Sequence, residues 1–411
     1  MKIWLKMLIA IFIGVIIGLF VPQKILIIDE LIKLLSNLSI NILLYMTLLY
    51  TLVKTFVGVL HLKRAKKGYI KIFIIFFVGI IASLIFSIVV SMGFMNLNIF
   101  KPDQISQYEA KPLKIYGFSE LLLNILNSNI FSSFEGPFKF VLPVVFVGMI
   151  FGLASANLSK RSFIFVEMVE SFDVILSKIS HQIIEIYPFL SVFTVATLVR
   201  LNIFSEDKLQ FILKPFLGIL LISSILLIFY TIFLYIIFKE KMPKFYMGII
   251  GAALTSFVAG NSASCIIPLN EHLKRNIGVK KELANCLTPM GMIFNKSGTI
   301  IVSVVSLISI ILFFTPTVLD FKLQVVMFLL LFVFSFSLDG INEAGFLAVV
   351  AVIMNIQTLH LEDNSYLLFL PFVPILSRIG IFLDVITTGI FVTLTSRFVD
   401  TVEIKEYIDF V

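Results

Sequence analysis

Long apolar runs alternate with short polar stretches from one end of the chain to the other. Crossing the hydrocarbon of a bilayer takes about 20 apolar residues at ~1.5 Å each. Runs of that kind lie near 7–22, 38–60, 69–95, 138–157, 183–199, 209–238, 284–314 and 368–394, and each predicts a transmembrane helix. The first follows Lys2 and Lys6, as the core of a signal peptide would. It ends in Val21, Pro22 and Gln23 without the small residues of a cleavage site, so it is expected to stay in the protein.

Two further apolar regions are broken near their middles. Residues 246–268 contain Ala259-Gly260-Asn261-Ser262-Ala263-Ser264, and residues 324–359 contain Ser337-Leu338-Asp339-Gly340-Ile341-Asn342-Glu343-Ala344-Gly345. Gly, Ser, Asn and carboxylates at mid-membrane depth leave polar groups unsatisfied unless protein or trapped water surrounds them. Half-length apolar segments flank each break, which predicts two re-entrant helical hairpins; the alternative is a pair of Gly-kinked ordinary helices. A pair of interrupted segments in two parts of a chain points to a transporter binding site. Residues 165–188 differ in kind, because Glu167, Glu170, Asp173, Lys178, His181 and Glu185 recur at helical spacing and predict one wet face. The 96–137 stretch, with Lys101-Pro102-Asp103 and Glu135-Gly136-Pro137, reads as a long external loop. No internal repeat is strong enough to be read from this sequence alone.

Loop charges set an orientation. Lys63, Arg64, Lys66, Lys67 and Lys71 crowd one link, Lys160 and Arg161 another, Lys239, Lys241 and Lys244 a third, and Lys274, Arg275, Lys280 and Lys281 follow the first broken region. The alternate loops are neutral or acidic, with Asp103, Glu109, Glu206, Asp207, Glu362 and Asp363. Basic loops on every second turn place both termini in the cytoplasm. That alternation closes only if 246–268 enters and leaves from the cytoplasm and 324–359 does so from outside, an independent argument for both hairpins. Of the 411 residues 59% are hydrophobic and 14% charged, far from the ~25% charged residues of a soluble domain. Disorder, a secreted disulfide scaffold and a cytosolic enzyme are thereby excluded. The net charge of +7 is the Lys and Arg excess of the inner loops rather than a nucleic-acid footprint. Cys265 and Cys286 have no ligand spacing and read as small packing residues.

The densest polar run inside an apolar span is Pro289-Met290-Gly291-Met292-Ile293-Phe294-Asn295-Lys296-Ser297-Gly298-Thr299. Unwound carbonyls suit a desolvated cation, and hairpin-helix N-termini offer N–H groups to an anion. Gly298 by itself reads as a close helix contact. Ser262-Ala263-Ser264, Pro268, Gly278-Val279-Lys280-Lys281 and Pro289, Gly291, Asn295, Gly298 and Thr299 follow one another in an order that resembles the dicarboxylate/amino acid:cation symporter family, the glutamate transporters. Tyr187-Pro188-Phe189 with Val192-Phe193 is similar to that family's fifth span. The resemblance covers nearly the whole chain and marks a divergent member. It implies an all-α polytopic membrane protein of eight transmembrane helices plus two re-entrant helical hairpins, an inverted-repeat transporter that forms a homotrimer in the cytoplasmic (inner) membrane. Residues 1–65 and 138–200 would form a scaffold. Residues 66–95 and 205–411 would form a transport block, with hairpin 1 about 246–275, span seven about 284–314, hairpin 2 about 324–359 and span eight about 366–396.

The departures from the family pattern are specific. Ser297 and Lys296 stand where the family carries a sodium-binding Asp and a Met beside another sodium. Ser377 and Gly380 take the places of its ammonium-binding Asp and its carboxylate-binding Arg. Asp384 and Thr388 take those of a cation-binding Asn and Asp, while Asp339 and Glu343 replace small or apolar residues. Asn295, Thr299 and Ser337 are retained. The candidate substrate-binding set is Ser262, Ser264, Thr299, Asn342, Ser377 and Arg378. The resemblance implies a cation or charge-pair set of Gly291, Asn295, Lys296, Ser297, Ser337, Asp339, Asp384 and Thr388, with Asn295 and Asp384 as sodium ligands.

A lone Lys at the membrane midplane costs ~2.5–3.5 kcal/mol, so it is expected to face the interior and be paired. Lys296 would substitute for a bound cation and pair with Asp339 or Asp384, with protons on Asp339, Glu343 or Asp384 replacing sodium; a lysine snorkelling to an interface is the alternative. Arg378 precedes Gly380 by two residues and so points ~200° away from it on a helix. It either takes a substrate carboxylate from another angle or pairs with Asp384.

These readings predict a secondary active transporter of a small organic anion, a dicarboxylate or an acidic or neutral amino acid, coupled to sodium or protons. No cofactor and no nucleic acid are expected, and the lipid bilayer is the solvent. The alternative is a channel or a transport-incompetent relative on the same scaffold. An enzyme is disfavoured, because His61, His181, His272 and His360 are scattered and no span carries His-Glu-x-x-His or an Asp pair.

Overall fold

The computed structural model describes residues 2–21, 26–65, 68–93, 141–157, 163–201, 206–238, 242–314, 321–337, 343–355 and 365–399, with Val402, Lys405, Glu406 and Phe410 of the tail. The expected external loop at 96–137 lies outside them, as do several of the charged loops. Apolar segments can satisfy their backbone N–H and C=O groups only internally, and among the described residues they do so as helices, with no strand. In chain order these are α1 (Ile3–Phe20), α2 (Leu26–Arg64), α3 (Tyr69–Gly93), α4 (Leu142–Ala156), α5 (Phe163–Leu201), α6 (Glu206–Phe238), α7 (Met242–Ala259), α8 (Ile266–His272), α9 (Lys281–Phe294), α10 (Ser297–Phe314), α11 (Phe321–Ser337), α12 (Ala344–Asn355) and α13 (Val373–Val399).

Eight described stretches are long and apolar enough to cross a membrane. The number matches the expectation, but the membership differs. The first arm of the first broken region, Met242–Ala259, qualifies, whereas the expected fourth span is described only over Leu142–Ala156, 15 residues. Large apolar side chains point outward along the long helices: Ile27 is 76% exposed, Ile164 79% and Phe189 70%. Water does not tolerate so much contiguous apolar surface, so this is a multi-pass membrane protein.

The polar face expected over 165–188 is present, with Glu167 and Lys178 exposed and Glu170 and Glu185 partly so, while Asp173 is buried. Residues 165–199 lie in one continuous helix, α5, with Pro188 inside it, and the inner edge of its polar face meets α1 and α2. Glu185 pairs with Lys6, Glu170 with His61, and Asp173 with Lys54. Asp173 and Glu185 each meet a lysine on a neighbouring helix and Glu170 meets an imidazole, which lets the inner edge of this face turn inward. Helices α1, α2, α4 and α5 form one packed group. A Cβ at Gly152 of α4 would lie 2.7 Å from the Phe56 carbonyl of α2, the close approach small residues permit in lipid. The second group centres on α13, which touches α3, α6, α7, α9, α10 and α12.

In the first broken region the chain turns at Gly260, in the left-handed region at φ 68, and passes through one 3₁₀ turn into α8. The Asn261 side chain accepts the Ala263 N–H at 2.8 Å and holds that turn. Asn276 Nδ2 donates to the Gly248 carbonyl at 2.8 Å, and Gly251 faces the His272 ring. The two arms therefore run antiparallel. Helices α11 and α12 pack together in the second region.

Candidate functional site

Helical pairing stops at Asn295, with φ −89 and ψ 90, and resumes at Ser297. Helix α13 lies against the gap and repairs it with side chains. Asn295 Nδ2 donates to the hydroxyls of Thr387 (2.8 Å) and Thr388 (3.1 Å), Ser297 and Thr387 share a hydroxyl contact of 2.9 Å, and the Thr388 hydroxyl donates to the Gly291 carbonyl at 3.3 Å. Asp384 caps α10 from across the interface. Its Oδ1 accepts the N–H groups of Gly298 (2.7 Å) and Thr299 (3.2 Å), and its Oδ2 the Thr299 hydroxyl. A carboxylate on orphan helix N-terminal N–H groups is favourable through both hydrogen bonding and the helix dipole.

The approach is close because two glycines face each other. A Cβ at Gly380 would lie 3.0 Å from Thr299 Cα, and one at Gly298 would overlap the Gly380 carbonyl. Beside this contact Lys296, 3% exposed, donates its ammonium to the Met292 carbonyl at 2.9 Å. Its charge acts on Asp384 through space, while the Asp384 oxygens are occupied by Gly298 and Thr299.

Four distant parts of the chain close around one small cavity of about 20 Å³, room for about one water. Its lining includes Ser262 from the first turn, Lys296 and Thr299 from the α9–α10 gap, Ser335 and Gly345 from α11 and α12, and Ser377 and Gly380 from α13. Three polar breaks separated widely in sequence thus meet in one place.

The sodium:dicarboxylate symporter family matches residues 3–398. The chain belongs to that family. A C4-dicarboxylate transport protein of Paracidovorax citrulli (strain AAC00-1) is 22% identical over 433 residues, covering 99% of this chain and 90% of the relative. A protein of the same description from Yersinia pestis (strain Pestoides F) is 24% identical over 319 residues, covering 71% of this chain and 70% of the relative. The family is one of transporters, not enzymes.

Against this family's frame the expected site residues separate into groups. Ser262, Lys296, Thr299 and Ser377 line the cavity. Gly291, Asn295, Ser297, Asp384 and Thr388 form the bonded floor beside it. Ser264 lies away from the cavity, fully buried, with its N–H 3.4 Å from Asn261 Oδ1. Ser337 is the last residue of α11; Asp339 and Asn342 lie outside the described residues. Arg378 does not pair with Asp384. Its guanidinium lies over Gly260, where a Cβ would be 2.9 Å from Cζ, and its Nη1 donates to the Pro374 carbonyl at 2.7 Å. Six residues of helix turn the two side chains to different neighbours.

One polar cluster escapes sequence reasoning. Lys54 of α2 and Asp173 of α5 pair at 2.6 Å with side-chain exposures of 0% and 1%, and Lys281 reaches the second Asp173 oxygen at 2.7 Å. Tyr50 donates to Glu271 at 3.2 Å, and Asn270 donates to Tyr50 and to Asn285. The signal available was Lys54 itself, a lone cation inside an apolar run. Among the described residues no group of His, Cys, Asp and Glu could hold a metal ion.

Thr299→Val tests the α10 cap. It removes one of the three hydrogen bonds to a buried carboxylate and is expected to cost about 1–3 kcal/mol, read as a lower melting temperature in detergent. Thr299→Ser, which keeps the hydroxyl, is expected to melt near wild type.

Proposed function

We propose that the chain is a secondary active transporter that carries a C4-dicarboxylate or similar small organic anion across the cytoplasmic membrane by alternating access, coupled to a cation. The observation that carries this reading is the cavity at which both helix pairs, the α9–α10 gap and α13 converge. At about 20 Å³ it is far below the ~300 Å³ of an ordinary ligand pocket. The state is closed, and admitting a dicarboxylate requires α11 and α12 to swing away.

In this reading α7–α8 and α11–α12 are re-entrant hairpins related by an inverted repeat. Helices α1, α2, α4 and α5 stay fixed while α3 and α6–α13 move as a block. Both termini lie in the cytoplasm and three copies assemble. The description of the two relatives as C4-dicarboxylate transport proteins supports the substrate class. So does the loss of the family's ammonium-binding carboxylate at Ser377.

Coupling is assigned to the bonded floor. Asn295 Oδ1 is buried without a hydrogen-bond donor and is the oxygen to which a cotransported sodium ion would bind. Lys296 acts on Asp384 from within the same cluster and supplies a resident positive charge, so uptake depends less on sodium than in relatives that lack this lysine.

Purified protein reconstituted in liposomes is expected to take up radiolabelled succinate saturably and to show counterflow. Uptake in choline is expected to stay within about threefold of that in sodium at fixed pH. Succinate at about 100 times its Kd should stabilise the fold by ~2.7 kcal/mol. Unsaturable conductance would replace the carrier by a channel, and strict sodium dependence would remove the resident-charge reading.

A further inference from the structure

The helices assigned above to the fixed group meet those of the moving group along a seam where α2 and α5 face α8 and α9, and polar contacts cross it at two places. Asp173 of α5 holds one lysine from each group. Lys54 of α2 lies at 2.6 Å from one carboxylate oxygen, and Lys281, the first residue of α9, at 2.7 Å from the other. At the second crossing the Tyr50 hydroxyl of α2 donates to Glu271 of α8 at 3.2 Å and accepts from the Asn270 amide at 2.7 Å. Helices α2 and α9 also come into backbone contact. A Cβ at Gly58 would lie 2.7 Å from Cys286 N and 3.0 Å from the Glu282 carbonyl, and Cys286 is fully buried there.

We propose that Asp173 and Lys281 form a releasable latch between the two groups, with Lys54 as the standing partner that keeps Asp173 compensated when Lys281 departs. This rests on the transport reading above and names a contact that the moving block breaks in each cycle. A single buried ion pair makes a poor latch, because parting it leaves an uncompensated buried charge. The seam is built to avoid that. Asp173 keeps Lys54 within the fixed group when Lys281 leaves. Glu271, on losing Tyr50, keeps Lys274 at 2.6 Å and Arg275 at 3.3 Å, both on its own arm. Asn270 likewise keeps Asn285 of α9 at 3.0 Å. Each of these groups thus has a partner that travels with it. Lys281 has somewhere to go, since its side chain is 49% exposed and borders two clefts of about 870 and 370 Å³, one on each side. Both clefts have charged linings, with Arg64 and Glu282 in the first and Lys274 and Arg275 in the second, which suits water rather than acyl chains.

The test uses the full-length protein in detergent as Cys265→Ala, which leaves Cys286 as the one cysteine of the chain. A water-soluble maleimide is expected to reach Cys286 only when α9 parts from α2, so its labelling rate reports the open seam. Adding Lys281→Gln is expected to raise that rate about 3- to 10-fold, and Lys281→Arg, which keeps the charge, to leave it near the parent. Tyr50→Phe breaks the other crossing by deleting one hydroxyl and is expected to raise the rate as well, and it decides the matter should Lys281→Gln not fold. Lys54→Met is expected to act the opposite way and slow labelling, because Asp173 is then left to Lys281 alone. That inversion separates a latch from a cluster that merely holds the fold together, whose loss would speed labelling in every variant. Parental rates in Lys281→Gln and Tyr50→Phe, or faster labelling in Lys54→Met, would overturn the proposal. Failure of the transport reading shows elsewhere, as wild type in liposomes without saturable succinate uptake whatever the labelling rates.

Discussion

Asp173→Ala is expected to cost about 3–5 kcal/mol of stability, among the largest effects of any single substitution in this chain. The magnitude follows from what is left behind. Lys54 has a side-chain exposure of 0%, and besides the Asp173 carboxylate its ammonium contacts, among the described residues, the Asp173 carbonyl, the Ser177 hydroxyl and the face of Tyr50 at 5.1 Å. Removing the carboxylate leaves that charge buried between α2 and α5 without its ion-pair partner. Lys281 also loses Asp173, but at 49% side-chain exposure it can turn to solvent, so Lys54 dominates the loss. Melting temperature followed by size-exclusion in detergent checks this. The double variant Lys54→Met with Asp173→Leu, which removes both charges, is expected to recover most of the loss, because a buried pair is worth little against apolar side chains of similar volume. Asp173→Ala melting with wild type would show that the pair contributes no net stability.

Gly380→Arg, which reinstates the family's arginine by sequence, is expected to abolish succinate binding rather than to create a second carboxylate site. The first side-chain carbon already meets Thr299 Cα at 3.0 Å, and backbone cannot give way as a flexible side chain can. Helix α13 must back off from α10, which pulls Asp384 from the N–H groups of Gly298 and Thr299 and opens the cavity wall. Gly298→Ala attacks the same contact from the other side, against the Gly380 carbonyl and Leu383. Overpacking of this kind costs about 1–3 kcal/mol. Both variants are expected to melt lower than wild type and to show no succinate-dependent shift. Gly380→Arg that binds succinate more tightly would contradict the glycine contact.

The span positions were legible because the membrane imposes a length and a polarity on each helix that local sequence must meet. The same rule exposed the breaks at Gly260-Asn261-Ser262 and Asn295-Lys296, and the resemblance named the family. It was incomplete on α5, where the predicted polar face is partly exposed but its Asp173 is buried and its inner edge is answered by side chains of other helices. Periodicity locates a polar stripe without saying whether water or a cation on another helix answers it, and Lys6, Lys54 and His61 are 179, 119 and 109 residues away. Ser264 lies two positions beyond Ser262, about 240° around a 3₁₀ axis, and is packed away from the cavity that Ser262 lines.

What the sequence determined by itself was therefore the solvent of this protein, the number and rough placement of its helices, and where their hydrogen bonding is interrupted. All of these follow from composition and order within a segment. Tertiary structure alone decided which interruptions face one another, that Asp384 caps α10, that Gly298 and Gly380 bring two helices into backbone contact, and that Lys296 rather than Arg378 reaches the cavity. Those outcomes depend on contacts between residues far apart in the chain, from 42 residues for Ser303 and Gly345 to 86 for Gly298 and Asp384, set by how whole helices pack, and packing is a property of the assembled bundle rather than of any one segment.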